Sequence, residues 1–310
     1  MKIVFMGTPE GAALLLEKLA GPHSISAVIT RPDKPKGRGL KVYMSPVAER
    51  AERLGIQALK PSNINDPQII ANIKEIAPDI IIVAAYGRIL SKELLNMPKY
   101  GCVNVHLSLL PKYRGASPVQ SALLNGDTET GITVMLMNER LDEGDILLSE
   151  TVRIKENETA GELTERLFIV GGDLLLRTLP GIESGSLKPV PQDNSRATYC
   201  KPIKKTDGLI DINTDSNDLL NKIRAFSPWP GAYWMFRGKR IKILSAKPHA
   251  DTFGPAEPGT AVGHIKNEGL AVRAKNGVIL IKEVQPENSK KMSAEEFVNG
   301  YRIKIGEKIF

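Results

Sequence analysis

Two polar residues share one face of a predicted strand whose other residues are mostly apolar. Asn104 and His106 lie two positions apart within Cys102–Leu107, and alternate residues of a strand point to the same side. Burying two polar side chains there is costly unless each finds a partner or solvent. A lone histidine would indicate a core residue, but the neighbouring amide favours a catalytic pair that donates hydrogen bonds and transfers protons.

A carboxylate offers a third member for this pair. Asp142 lies in the loop Asn138–Asp145, directly after the predicted strand Ile132–Met137. It could reach back to His106, orient the imidazole ring and stabilise its protonated form. An acidic loop is more often simply solvated, so the role of Asp142 depends on its meeting His106.

Alternating strands and helices are predicted to position these residues. The predicted strands are Lys2–Met6, Ile25–Thr30, a short one near Ile56, Asp79–Ala85, Cys102–Leu107 and Ile132–Met137. The predicted helices are Pro9–Leu19, Val47–Leu54, Pro67–Ile76, Ser117–Asn125 and Thr159–Leu179. This order predicts an α/β, doubly wound, Rossmann-like domain with the polar pair at the carboxyl end of a strand, where open sheets bind ligands.

The character of the sequence changes after Pro180. Residues 1–189 are predicted to form the catalytic domain, and residues 190–207, rich in Gly, Pro, Ser and polar residues, a linker. From residue 208 to 310, one helix (Asp218–Phe226) precedes five short strands with Gly-rich turns. Such a pattern predicts a small C-terminal β-barrel resembling an oligonucleotide-binding fold.

Composition excludes several classes of protein. The apolar runs of this 310-residue chain are far shorter than the roughly 20 residues that a membrane helix needs. Its two cysteines are widely separated, which predicts a reducing cytoplasm and neither a disulfide framework nor a metal site. The net charge of +7 favours a polyanionic partner, although solubility alone can explain such a surplus.

Familiar cofactor and nucleophile motifs are missing. The first strand is followed by Gly7–Gly11, which lacks the G-x-G-x-x-G spacing of dinucleotide-binding domains. The sequence contains no phosphate-binding P-loop motif and no G-x-S-x-G nucleophile elbow. The predicted α/β domain is therefore expected to serve another chemistry.

Three motifs together resemble the folate-dependent formyltransferase family: Asn104-Val105-His106, Ser108–Pro111 with Arg114-Gly115, and Leu141–Asp145. The likeness extends from Met1 to about Leu179. It implies a catalytic set of Asn104, His106 and Asp142. It also implies a formyl donor, 10-formyltetrahydrofolate, bound along Ser108, Leu109, Leu110 and Pro111 and beside Tyr86 and Gly87, with no metal.

A basic segment narrows the resemblance. Arg31–Lys41 contains five basic residues and one acid, with glycines on both sides of Arg38. Together with Ala225–Ala232 it is similar to those family members that formylate the methionine carried by initiator tRNA. This likeness implies that methionyl initiator tRNA is the acceptor. It also implies tRNA contacts from Lys36, Arg38 and Lys41 and, in the C-terminal domain, from Lys239 and Lys242. Without the family, a basic Gly/Pro segment would indicate only a solvated turn.

For this formyltransferase a monomer is expected, and the resemblance leaves three alternatives open. A relative that formylates a small ribonucleotide typically ends after the catalytic domain, and this chain continues for another ~100 residues. A second relative formylates a nucleotide-linked amino sugar and needs fewer cations than Arg31–Lys41 provides. The third alternative is a non-catalytic RNA-binding protein, which the intact set of Asn104, His106 and Asp142 opposes.

Overall fold

The computed structural model describes residues 1–36 and 41–310, with the backbone alone for Lys36 and Lys41. The chain separates into two compact units that are not continuous in sequence. The first unit contains Met1–Pro118, Glu129–Arg153 and Thr164–Lys201. The second contains Val119–Thr128, Ile154–Leu163 and Pro202–Phe310.

Sixteen helices and strands precede residue 190: β1 (Ile3–Gly7), α1 (Glu10–Ala20), β2 (Ile25–Ile29), β3 (Lys34–Lys36), β4 (Lys41–Tyr43), α2 (Pro46–Arg53), β5 (Ala58–Leu59), α3 (Pro67–Ile76), β6 (Ile80–Ala84), α4 (Lys92–Asn96), β7 (Cys102–His106), β8 (Arg114–Gly115), α5 (Pro118–Leu124), β9 (Glu129–Leu136), β10 (Ile146–Arg153) and α6 (Ala160–Ser184); this count covers the described residues. The later elements are β11 (Tyr199–Cys200), α7 (Ser216–Ala225), β12 (Ala232–Phe236), β13 (Lys239–His249), β14 (Ala261–Ile265), β15 (Gly269–Ala274), β16 (Gly277–Pro286), β17 (Met292–Ser293) and α8 (Ala294–Tyr301). Short 3₁₀ helices lie at Asn194–Arg196 and Lys205–Gly208.

The first unit is built on a seven-stranded sheet in the order β10-β9-β7-β6-β1-β2-β5. The five strands from β7 to β5 are parallel to one another. β9 runs antiparallel to β7, and β10 runs antiparallel to β9. The prediction of an α/β, Rossmann-like fold is therefore confirmed for this unit, with two antiparallel strands at one edge of the sheet.

Apolar side chains cover both faces of this sheet. On one face, Val4, Ile81 and Cys102 belong to a buried cluster that includes Ile70 and Ile73 of α3. α6 lies close to the other face, because a Cβ added at Gly171 would be 3.1 Å from Val105 Cγ1. Since residues alternate along β7, Asn104 and His106 share the face of Cys102 rather than that of Val105.

The helix starts follow local chemistry. α3 begins where predicted, because the Asp66 side chain accepts from the Gln68 N–H and Pro67 occupies the first helical position. α2 begins in the same way, with Ser45 Oγ accepting from the Ala48 N–H. These two caps define where α2 and α3 begin.

The second unit contains an antiparallel sheet in the order β12-β13-β16-β15-β14, with β17 paired to β16. One side chain from each of three parts of the unit forms its aromatic centre: Trp234 stacks on Phe310 at 4.7 Å and meets Phe297 edge-on at 5.9 Å. α8, which the sequence analysis did not predict, starts with a capping box between Ser293 and Glu296. Among the described residues, no helix combines the length and apolar character that a membrane crossing requires.

Candidate active site

β7 brings Asn104 and His106 to one face of the sheet, between β6 and β9. The Asn104 side chain is partly exposed, whereas the His106 side chain is 6% exposed. Asn104 pairs across the ladder with Val83 on one side and Met135 on the other. The pair that the sequence predicted on one face is therefore found together near the carboxyl end of β7.

Both ring nitrogens of His106 face oxygen atoms. Nε2 lies 3.0 Å from the backbone oxygen of Tyr113, and a carbonyl oxygen can only accept, so Nε2 carries a proton in this arrangement. Nδ1 lies 3.7 Å from Asp142 Oδ2. A second proton on Nδ1 would point at this carboxylate, which is suited to stabilise it.

Asp142 reaches His106 although its loop starts at the other end of β7. β9 is antiparallel to β7, and its last residue, Leu136, pairs with Val103. The loop then turns back, with Asp142 at a φ of +54°. The Gly115 N–H donates to Asp142 Oδ2 at 2.8 Å, so a backbone amide holds the carboxylate beside the imidazole.

The Asn104 amide is available to a ligand. Within residues 1–36 and 41–310, no other residue forms a hydrogen bond with this side chain. Its two N–H donors lie on the same face as His106. An amide so placed can donate to an oxyanion that forms in front of β7.

The predicted donor-binding segment Ser108–Pro111 follows β7 directly and is held by Thr133 of β9. The Thr133 hydroxyl donates to the Ser108 backbone oxygen at 2.7 Å and accepts from the Leu110 N–H at 3.1 Å. Ser108 is fully buried, and its own hydroxyl donates to the Lys112 carbonyl at 2.6 Å. Leu109 and Pro111 are partly exposed and Leu110 is buried. The segment is therefore fixed mainly through its backbone.

The predicted donor-binding residues Tyr86 and Gly87 lie just beyond β6, the neighbour of β7. The Tyr86 side chain is buried in the cluster that packs on α3, and this burial raises the pKa of its phenol. Gly87 is exposed and has a φ of +69°. The Arg31 guanidinium donates to the Tyr86 carbonyl at 3.2 Å and to the Gly87 carbonyl at 2.7 Å. Arg31, the first cation of the predicted basic segment, therefore forms hydrogen bonds to the backbone of this turn.

A buried polar network that the sequence did not predict lies next to the Asp142 loop. Arg114 is 1% exposed, and its guanidinium donates twice to Gln192 Oε1, at 3.0 and 2.8 Å, and once to Asn194 at 2.7 Å. Its remaining nitrogen, Nη1, lies 3.1 Å from the Tyr199 hydroxyl and 3.4 Å from Glu143 Oε1. Three of these partners fall in the predicted linker, whose composition carries no signal for such contacts.

The predicted tRNA-binding residues divide between the two units. Arg38 lies outside the described residues. The backbones of Lys36 and Lys41 are cross-strand partners in the two-stranded β3–β4 ribbon. In the second unit, Lys239 and Lys242 lie on β13, exposed and partly exposed respectively, and neither has an acidic partner among the described residues.

Arg240 shares the face of Lys242 on β13, whereas Lys239 lies on the face of Ile241. Arg240 lies 5.5 Å from the ring centroid of Tyr233, and Tyr233 is the cross-strand partner of Lys242. In contrast, Trp234 and Ile241, the intervening residues of β12 and β13, belong to the core. This face of the sheet therefore combines cations with an aromatic ring.

The described parts of the chain bring together no group of three or more His, Cys, Asp or Glu side chains that could hold a metal ion. The residues around β7 instead offer hydrogen-bond donors, an imidazole and a carboxylate. Such a set can stabilise developing negative charge and move a proton.

Comparison with known protein families matches both halves of the chain. The formyl transferase profile covers residues 1–179, and the profile of the formyl transferase C-terminal domain covers residues 202–302. The chain belongs to the formyl transferase family. The predicted family membership, which was drawn from the motifs at 104–106, 108–115 and 141–145, is thereby confirmed.

Full-length relatives in this formyl transferase family share one name. A methionyl-tRNA formyltransferase from Carboxydothermus hydrogenoformans is 45% identical over 99% of this chain and 99% of its own length. Another from Geotalea daltonii is 42% identical over 100% of this chain and 98% of its own.

Two solved structures share the fold of this formyl transferase family member. HypX from Aquifex aeolicus, in complex with tetrahydrofolic acid, has a TM-score of 0.68 and 17% identity over 98% of this chain and 48% of that one. WlaRD, a sugar 3N-formyl transferase solved in the presence of dTDP and 5-N-formyl-THF, has a TM-score of 0.67 and 20% identity over 94% of this chain and 99% of that one.

Proposed function

We propose that this chain transfers the formyl group of 10-formyltetrahydrofolate to the α-amino group of methionyl initiator tRNA. The observation that carries this proposal is the name shared by relatives at 42–45% identity over nearly the whole chain. The arrangement of Asn104, His106 and Asp142 supports formyl transfer as the chemistry. The product would be N-formylmethionyl-tRNA, which serves to initiate translation.

The reaction exchanges one carbon–nitrogen bond for another. The methionyl amine attacks the formyl carbon, its bond to the folate nitrogen breaks, and the carbonyl oxygen carries negative charge in between. One proton leaves the attacking amine and one reaches the folate nitrogen that departs. The site must therefore stabilise an oxyanion and relay a proton.

We assign the oxyanion to Asn104 and His106. The Asn104 amide supports this assignment, because its donors have no other partner in the described part of the chain. For His106, the Nε2 proton is donated to Tyr113, so donation to the oxyanion requires that this hydrogen bond be exchanged for one to the substrate. Catalytic hydrogen bonds commonly tighten or form only with substrate.

We assign the proton relay to Asp142. Its carboxylate lies 3.7 Å from His106 Nδ1, too far for a direct hydrogen bond but suited to hold an imidazolium or a bridging water. Relay through this carboxylate would carry the amine proton toward the folate nitrogen.

The donor is proposed to bind across the ends of β6 and β7. The turn containing Tyr86 and Gly87 follows β6, and the segment Ser108–Pro111 follows β7, its parallel neighbour. A crevice at such strand ends is where open α/β sheets bind ligands. Because Tyr86 is buried, we assign its contribution to the backbone of the turn.

For the acceptor, we propose that the antiparallel sheet of the second unit is an oligonucleotide-binding-like barrel that contacts tRNA phosphates. Lys239 and Lys242 supply cations without acidic partners among the described residues, and Tyr233 supplies a ring beside Arg240. Lys36, Arg38 and Lys41 would contact the acceptor end of the same tRNA. We expect the protein to act as a monomer, with residues 1–189 and 208–310 as its two domains.

Incubation with 10-formyltetrahydrofolate and methionyl initiator tRNA tests the proposal. Formylmethionine should be released on mild hydrolysis of the tRNA, and methionyl elongator tRNA should react much more slowly. A nucleotide-linked amino sugar, offered under the same conditions, should remain unmodified. Formylation of the sugar with no reaction of either tRNA would replace the proposal with the amino-sugar function, and no reaction with any amine would favour the RNA-binding alternative.

A further inference from the structure

The Asp142 loop leaves β9 at the end of β7 that is distant from His106, so something must hold the loop where it turns back. The Gly115 N–H holds the carboxylate itself. Two backbone carbonyls of the loop, those of Asp142 and Gly144, are held by a single side chain, Gln192. Its Nε2 donates to them at 2.8 and 2.7 Å respectively.

The Gln192 amide has only one workable orientation. Its Oε1 accepts two hydrogen bonds from Arg114, at 3.0 and 2.8 Å. A flipped amide would set its N–H groups against the guanidinium and its oxygen against two carbonyls. Gln192 is 9% exposed and both ends of its amide are hydrogen-bonded, so it joins Arg114 rigidly to the backbone of Asp142 and Gly144.

We infer that Gln192 is a positioning residue that holds the Asp142 carboxylate against His106. Arg114 anchors Gln192 from behind, and the residue that follows Arg114, Gly115, donates to the carboxylate itself. The Arg114–Gly115 segment therefore holds both the backbone of Asp142, through Gln192, and its side chain, through the Gly115 N–H. This inference rests on the proposed roles of His106 and Asp142.

Gln192→Glu is the sharpest test, because it replaces the side-chain NH2 group by an oxygen at nearly constant size. One oxygen of the introduced carboxylate would still accept from Arg114. The other would meet the Asp142 and Gly144 carbonyls, and this repulsion would push the loop away from His106. We expect kcat to fall roughly tenfold to a hundredfold, because a displacement of about 1 Å is enough for such a loss. KM for the formyl donor should stay within about threefold, since Gln192 does not touch Ser108–Pro111.

Gln192→Ala separates positioning from space filling. A polar cavity of about 390 Å³ lies against Gln192 and Asn194, so water can enter and bridge the two loop carbonyls in the alanine variant. The alanine variant should therefore be more active than the glutamate variant. If Gln192 merely fills space, the order reverses, because glutamate retains the volume and alanine does not.

The matched control is Asn194→Ala. Asn194 accepts from the same Arg114 side chain at 2.7 Å but makes no hydrogen bond to the Asp142 loop among the described residues. Its loss should leave kcat within about threefold of the parent value. Circular dichroism and melting temperature are recorded for each variant, so that unfolding is not mistaken for lost positioning.

A double-mutant cycle completes the experiment. In the background Asp142→Asn, adding Gln192→Glu should change kcat by less than about twofold, because the carboxylate on which it acts is already gone. A full additional loss in that background would overturn the inference, as would unchanged kcat in the single variant or an equal change in kcat and KM. If the parent protein formylates a different amine, the proposed acceptor is wrong, and the same cycle run with that amine still decides the role of Gln192.

Discussion

At the scale of single residues, the site depends on which polar groups are already satisfied. His106 and Asp142 have backbone partners in Tyr113 and Gly115, which fix their positions before any substrate binds. Asn104 has none in the described part of the chain. We therefore expect the Asn104 amide to act mainly on charge that develops during the reaction.

Asn104→Ala tests this expectation. Removing a donor aimed at an oxyanion lowers kcat by about a hundredfold or more, and KM for the formyl donor should change little because the donor-binding backbone is untouched. Steady-state kinetics with saturating tRNA measures both quantities. Asn72→Ala, at a partly exposed position of α3, is the matched control and should behave as the parent. A rise in KM at constant kcat would mean that Asn104 binds substrate rather than the transition state.

Cys102, on the same strand as the proposed catalytic pair, should be chemically silent. Burial raises the pKa of its thiol to about 12, so at pH 8 the reactive thiolate is about a thousandfold rarer than in an unfolded chain. In the background Cys200→Ser, we expect alkylation of Cys102 by iodoacetamide at pH 8 to require denaturant. Fast labelling of the native protein would contradict this burial.

The same thiol makes the folded state less stable in alkali. Its folded pKa lies above its unfolded value, so at high pH the folded state retains a proton that the unfolded state releases. The contribution of Cys102 is therefore complete below about pH 9 and is lost as the pH rises toward 12. Chemical denaturation of Cys102→Ala across this range should show a weaker dependence on pH than the parent.

At the scale of elements, local signals predicted much of the fold, and non-local pairing explains what they missed. α3 was predicted with its observed bounds because its capping residue and its first-turn proline can be recognised in the sequence. α8 has an equally plain signal in Ser293 and Glu296 that the prediction did not use. β10 was also missed, because only its first three residues are apolar in a row and Ser149, Thr151 and Arg153 are exposed at alternate positions.

The residues of the proposed catalytic set could be chosen from the sequence, but how they are held could not. Asn104 and His106 are two residues apart on one strand, so the period of the strand alone puts them together. The contact with Asp142 depends on the antiparallel direction of β9 and on the return of its loop, neither of which spacing can reveal. Gln192 lies in a segment whose composition indicates a linker, and only the folded chain brings it to Arg114.

The short β8–β11 pair gives a test at this scale. Gly115 has a φ of +118°, and a Cβ there would lie 2.3 Å from the Cys200 carbonyl oxygen. We expect Gly115→Ala to lower the free energy of unfolding by about 3 kcal/mol and to lower kcat, because the N–H that holds Asp142 is displaced. Urea denaturation and steady-state kinetics provide the two measurements.

Gly185→Ala is the control for Gly115→Ala. Gly185 also has a positive φ, +69°, but its added Cβ would meet no atom within 4 Å. Its cost should be about 1 kcal/mol with kcat unchanged. Equal losses of stability in the two variants would show that backbone strain, and not the contact with Cys200, governs the pair.

At the scale of the whole molecule, the proposed acceptor is a polyanion and the cations are divided along the chain. Thr206–Phe310 contains 16 Lys and Arg against 12 Asp and Glu, a net charge of +4. The remaining +3 of the total +7 lies in residues 1–205. Cations without acidic partners contact phosphates most readily, because no ion pair has to break.

We expect these two groups of cations to act differently. Replacing Lys239 and Lys242 by alanine should weaken initiator and elongator methionyl-tRNA alike and reduce the salt dependence by about one unit of slope for each phosphate that is no longer neutralised. Arg38→Ala should instead reduce the preference for initiator tRNA, since a guanidinium can read a base edge. Catalytic efficiency on both tRNAs across a salt series measures each effect.

Lys247→Ala controls for loss of charge in the second unit, because Lys247 is already paired with Glu268 at 2.7 Å. Its effect on either tRNA should be small. If Arg38→Ala impairs both tRNAs in equal proportion, then the basic segment contributes only electrostatic attraction. If Lys247→Ala matches the double variant of Lys239 and Lys242, then net charge rather than position governs binding.

Arg31 also restricts how acceptor choice could be re-engineered. Its guanidinium is bonded to the Tyr86 and Gly87 carbonyls, so the residue that opens the basic segment belongs to the wall beside the proposed donor crevice. A chimera that takes a relative's segment from Arg31 onward would alter that wall together with the segment. A junction placed at Lys34, where β3 begins, exchanges the segment alone. Chimeras with the later junction should therefore differ in the amine they accept while using the same donor equally well.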